Sequence, residues 1–186
     1  MTTTIRTHEV TVPEADFRVS PLDEAVEKIR DDALTQARKK LHIRYRGLDL
    51  ESLLRHPHFV GQFMHGLISG VAEALAVNDQ RVQIIYTYDP ALNTDSESGE
   101  ASPLDTTLHL LVRVATSSAA LEAFIAALDR ALTDSLKGLP SPLFAERKFT
   151  LDVSLITEKD VRLGLGPAGL LSAIFTPPIK VWQRRA

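Results

Sequence analysis

Three segments of this chain alternate apolar and polar side chains with a period of two. The stretches before and between them repeat at three and four residues, which confines the chain to folds that lay helices on a sheet. In the first, Val82, Ile84, Tyr86 and Tyr88 alternate with Arg81, Gln83, Ile85 and Thr87. In the second, Leu108, Leu110, Val112 and Val114 alternate with Thr107, His109, Leu111 and Arg113. In the third, Phe149, Leu151, Val153 and Leu155 alternate with Lys148, Thr150, Asp152 and Ser154. Each segment should bury its apolar face and leave the other open.

The helical segments carry their own boundaries. Ser20, Pro21 and Asp23 make a helix start, with a side-chain oxygen at the cap, a preset φ and an acid in the positive first turn. Leu22, Val26, Ile29, Ala33, Ala37 and Leu41 then form one stripe, and Gly47 supplies a C-terminal cap. Leu41, Ile43 and Tyr45 also alternate with His42, Arg44 and Arg46, so a strand over 41–46 competes with the end of that helix. Asp49 caps a short turn through Leu54, and a helix over 57–77 carries the broadest apolar face, from Phe59 to Leu75. Gly61, Gly66 and Gly70 within it each lower helix propensity by about 1 kcal/mol relative to Ala, which implies close approach to a neighbour. A further helix over 118–136 ends at Gly138-Leu139-Pro140.

From Pro57 onward the order is helix, strand, strand, helix, strand. One more strand upstream, from 9–19 or from 41–46, gives β-α-β-β-α-β: an α+β, ferredoxin-like split sandwich with an antiparallel sheet and two helices on one face. Residues 1–20 form an N-terminal strand region, 21–48 a long amphipathic helix, 49–160 the α+β core and 161–186 a Gly- and Pro-rich tail, all within one domain. The acidic stretch from Asp89 to Asp105 joins the first two strands as a surface loop.

Composition narrows the function classes. Of 186 residues 44% are hydrophobic and the formal net charge is −3, which fits a folded domain and not a disordered one. The absence of cysteine removes disulfides, thiolate metal sites and cysteine nucleophiles. Residues 1–10 lack the apolar segment of a signal peptide, and no uninterrupted apolar run approaches the ~20 residues that span a bilayer. A cytoplasmic protein without a membrane partner is expected.

Several motifs point to chemistry and fail on spacing. Gly164-Leu165-Gly166-Pro167-Ala168-Gly169 satisfies G-x-G-x-x-G after a strand, yet no strand and no acidic residue follow it in the sequence to complete a dinucleotide site. His56, His58 and His65 suit a divalent metal by type, but His58 and His65 lie about 10 Å apart along a helix, too far to share one ion. Asn93, Asp95 and Glu97 resemble a calcium loop, but counting from Asn93 the seventh position, not the sixth, is Gly99, and the twelfth is Leu104. Arg38, Lys39, Lys40, Arg44 and Arg46 complement a helix C-terminus, and the acidic balance disfavours nucleic acid as their target. No metal and no cofactor are expected.

The open sheet face holds the candidate site. His109 could serve as acid or base, Arg113 could bind an anion and Asp152 could orient either of them, provided the strand register brings the three together. Ile85, Leu111, Ala115 and Ile156 make the same face partly apolar, so either the tail or a second copy should cover it. The expected function is a non-catalytic binding or assembly module, homo-oligomeric through that face and the tail, with itself or another protein as partner. The alternative is a small-molecule enzyme that uses His109, Arg113 and a neighbouring tyrosine.

Overall fold

The computed structural model describes residues 21–41, 47–88, 106–141, 143–144, 149–174 and 177–185. Helix α1 (Pro21–Leu41) is followed by α2 (Leu50–Leu54) and α3 (Pro57–Asn78), then strands β1 (Val82–Thr87) and β2 (Thr107–Val114). Helix α4 (Ala119–Lys137), strand β3 (Thr150–Ile156), helix α5 (Glu158–Leu163), a 3-10 turn (Gly166–Ser172) and strand β4 (Ile179–Gln183) complete the order. The protein is α+β, with a four-stranded sheet in the order β3-β2-β1-β4. Helices α3 and α4 lie on one sheet face, and α1 packs across them as an outer layer.

The sheet is mixed, which corrects the antiparallel expectation. β1 pairs antiparallel with β2 and with β4, whereas β2 and β3 are parallel. The reason lies in α4, whose 19 residues carry the chain back to the end of the sheet where β2 began. The β2–β3 ladder runs without a break from Thr107 opposite Thr150 to Arg113 opposite Ile156, so no place remains between them for the strand that a ferredoxin-like sheet would insert. The segments 9–19 and 42–46 lie outside the described residues. The fourth strand comes instead from the tail, at the opposite edge.

Local signals explain the helices. Asp49 accepts a hydrogen bond from the Ser52 amide at 2.8 Å and starts α2, while Ser118 accepts from the Leu121 amide and starts α4. In α1 the buried residues Val26, Ala33 and Ala37 follow the apolar stripe, and the basic last turn complements the macrodipole. Helix α3 is long and apolar enough to cross a membrane by composition alone. Here its buried residues, Phe59, Phe63, Leu67, Val71 and Leu75 among them, meet α1 and the sheet as the centre of the core.

A polar cluster joins the top of α3 to the start of α4. The buried Asp79 carboxylate accepts hydrogen bonds from the Arg81 backbone amide at 2.8 Å and from its Nε and Nη2 at 2.9 and 2.6 Å. Arg81 Nη2 also donates to the Ser118 hydroxyl at 2.7 Å. These guanidinium bonds, more than the opposing effect of burial, hold the Asp79 carboxyl below its ordinary pKa of 3.8. A carboxyl with a lowered folded-state pKa contributes stability that is complete above its unfolded value and is lost as pH falls through the folded one. Asp79→Asn should therefore flatten the fall in urea-melt stability below about pH 4, and an unchanged acid limb would refute this role.

Candidate functional site

Strands β2 and β3 present the faces that their alternation predicts. Leu108, Leu110, Val112 and Val114 enter the main core, and the opposite side of the same strands carries His109, Leu111, Arg113, Asp152, Ser154 and Ile156. Strand β1 does not keep its predicted faces. Val82 stands opposite Val114 but Ile84 stands opposite Arg113, so Gln83 is an extra residue in the ladder. A bulge of this kind reverses every side chain beyond it. Ile85, expected on the open face, is fully buried in the main core, and Thr87 shares its side. Tyr86 and Tyr88, expected in the core, lie on the open face.

Register brings His109 and Asp152 directly opposite each other, with His109 Nδ1 2.9 Å from Asp152 Oδ2. Tyr88 joins them across the other ladder, its ring centroid 5.4 Å from that of His109. Burial, and after it the negative charge of Asp152, raises the Tyr88 pKa above 10.0, while a hydrogen bond with Ser154 opposes the rise. The position of Tyr88 was not legible, because the only signal for it is the bulge. Asp152 holds the ring of His109 at Nδ1.

Arg113 stands apart from that group. It is four residues along β2 from His109, roughly 13 Å at the rise of an extended strand. Its Nε donates to Gln83 Oε1 at 3.1 Å and its Nη2 lies 3.1 Å from Glu158 Oε2 at the start of α5. Of the three candidate residues, the structure thus unites His109 with Asp152 and assigns Arg113 to anchoring the tail. Ala115, expected to add to the apolar part of this face, lies beyond β2 and is exposed.

The tail covers the space between. Thr157 and Asp160 form a reciprocal capping box that starts α5, and Gly164 ends it in the left-handed region at φ 61°. Gly166, at φ 51°, turns the chain into the 3-10 segment. Gly164 and Gly166 of the G-x-G-x-x-G string therefore serve two consecutive turns beside a six-residue helix, and Gly169 lies within the 3-10 segment. This segment lays Ala168 on Leu111 and Ile156 to make a second small core, flanked by Tyr86, Tyr88, Val161 and Leu171.

Two grooves border the helices. One of about 360 Å³ runs between α4 and β3, and one of about 250 Å³ lies between α1 and α4, lined by Asp23, Glu27 and Asp134 among others. His109 lines neither of them. Among the described residues no three of His, Cys, Asp and Glu gather as metal ligands. The chain matches no family model, no curated protein and no solved structure.

Proposed function

We propose that this protein is a non-catalytic assembly module that associates with copies of itself through the outer side of its C-terminal tail. The observation that carries the reading is the distribution of exposed large apolar side chains. Among the described residues six large apolar side chains are exposed, and four of them, Leu163, Leu165, Ile174 and Ile179, belong to the tail and are 55%, 49%, 88% and 69% exposed, while Leu48 and Val77 stand singly elsewhere. The inner side of the same segment is already seated on its own sheet, so these residues face outward from an ordered support. Apolar side chains gathered in one exposed segment mark an interaction surface. A cytoplasmic setting belongs to the same reading.

A second reading, a small-molecule enzyme, is favoured by the 2.9 Å contact of His109 with Asp152 beside Tyr88. One experiment separates them. Under the assembly reading, Leu165→Asp/Ile174→Asp lowers the mass measured by light scattering to that of one chain, and His109→Ala leaves the mass unchanged. An unchanged mass in the double variant would overturn the assembly reading. A co-purified ligand seen by native mass spectrometry, converted to a product by the wild-type chain and not by His109→Ala, would establish the enzymatic one.

A further inference from the structure

We infer that the two edges of the sheet are complementary and join head to tail, with β4 of one copy pairing against β3 of the next. The inference rests on the self-association proposed above and gives it a geometry. Strand β3 is an edge strand whose Leu151 amide leaves the sheet to reach Asp129 Oδ1 at 2.6 Å, while the Thr150 amide points the other way, to the Thr106 carbonyl at 3.5 Å. By the two-residue alternation the amides and carbonyls of Val153 and Leu155 also face away from β2. Among the described residues, no hydrogen bond occupies them. The groove of about 360 Å³ beside them has an apolar floor of Ile125, Val153 and Leu155 and a rim of Glu122, Asp129 and Asp152, and no basic side chain lines it.

The opposite edge of the sheet has the complementary character. β4 exposes Ile179 and Lys180, and Arg185 follows two residues after its end. The pairing directions also agree. β4 and β2 are both antiparallel to β1, and β3 is parallel to β2, so β3, β2 and β4 run the same way. A second copy displaced sideways in the plane of the sheet therefore sets its β4 parallel to β3, with the helices of both copies on one side. A twofold arrangement would instead oppose the acidic rim to itself, or Lys180 and Arg185 to themselves, and like charges across a strand pair repel. Lys180 and the preceding Pro177-Pro178 pair guard β4 against indiscriminate pairing, and only an acidic edge offsets that guard. Such an interface is heterologous and propagates instead of closing on itself.

The test uses two variants of the full chain, each with one edge closed. Val153→Pro removes an amide that the sheet of its own copy does not use, and Lys180→Glu/Arg185→Glu makes the β4 edge acidic. Each should sediment as a single chain, and an equimolar mixture should form a 1:1 dimer, because the first retains a working β4 edge and the second a working β3 edge. If circular dichroism shows Val153→Pro unfolded, Glu122→Lys replaces it with the same expected result. A mixture that stays monomeric overturns the head-to-tail pairing. So do edge variants that keep the wild-type mass while Leu165→Asp/Ile174→Asp loses it, an outcome that leaves assembly through the tail standing. A wild-type chain that remains monomeric at every concentration overturns both.

Discussion

Gly66→Val should destabilise the protein by about 3 kcal/mol, more than any conservative surface change, because it forces α1 and α3 apart. A Cβ at Gly66 would sit 2.8 Å from the backbone Cα of Ala33 and 2.8 Å from its Cβ, and backbone on both sides leaves nothing flexible to yield. A branched side chain adds two methyl groups to that clash and lowers helix propensity further. A Cβ at Gly70 would meet the side chain of Ile29 at 2.7 Å and not backbone, whereas nothing lies within 4 Å of a Cβ at Gly61. Gly61→Ala should therefore raise stability by up to about 1 kcal/mol, since only helix propensity is at stake there. Chemical denaturation of the two variants checks the pair of signs. A neutral Gly66→Val would mean that α1 does not rest on α3 at Ala33.

Removal of residues 179–186 should take away most of the stability and leave a chain that aggregates on warming. The segment supplies the whole of β4, and Val181 and Trp182 pack against the main core. It also supplies Arg184, whose Nε donates to the Val82 carbonyl at 2.9 Å and whose Nη2 donates to the carbonyls of Ala76 and Asp79 at 3.0 and 3.2 Å. The Ala76 carbonyl belongs to the last turn of α3, where helical carbonyls lack partners and a cation is favoured. Trp182 backs the guanidinium, with its ring centroid 5.4 Å from Arg184 Cζ. Arg184→Ala alone should lower stability by roughly 2 kcal/mol, the scale of hydrogen bonds made by a charged donor. These contacts tie the end of the tail into the main core. A truncated chain with an unaltered melting temperature would refute them.

Much of the fold could be read from residue spacing. The stripes of α1, α3 and α4 and both faces of β2 and β3 follow from periodicity, and the cap at Asp49 from residue type, whereas the meeting of His109 and Asp152 depends on the strand register, which alternation does not supply. Pairing direction was not legible, because alternation within a strand is the same for parallel and antiparallel neighbours. The bulge at Gln83 was hidden for another reason. Val82, Ile84, Ile85 and Tyr86 are all apolar, so either face of β1 reads as buried, and only the partner strand fixes where the extra residue falls. β4 was concealed by its shortness and by Pro177-Pro178, which mark a break in local pattern while leaving the next residues free to pair at an edge. The capping box at Thr157 and Asp160 was a readable signal, and it would have placed α5.

Both the assembly surface and the charge pattern of the sheet edges depend on the tail lying over the sheet of its own copy. Methyl nuclear Overhauser spectra on a mixture of labelled and unlabelled chains address this directly. Contacts from the Ala168 methyl to the methyls of Leu111 and Ile156 should appear within the labelled copy and vanish when only transfers between copies are selected. The same contacts appearing between copies, or no contact from Ala168 to that face at all, would contradict the placement of the tail.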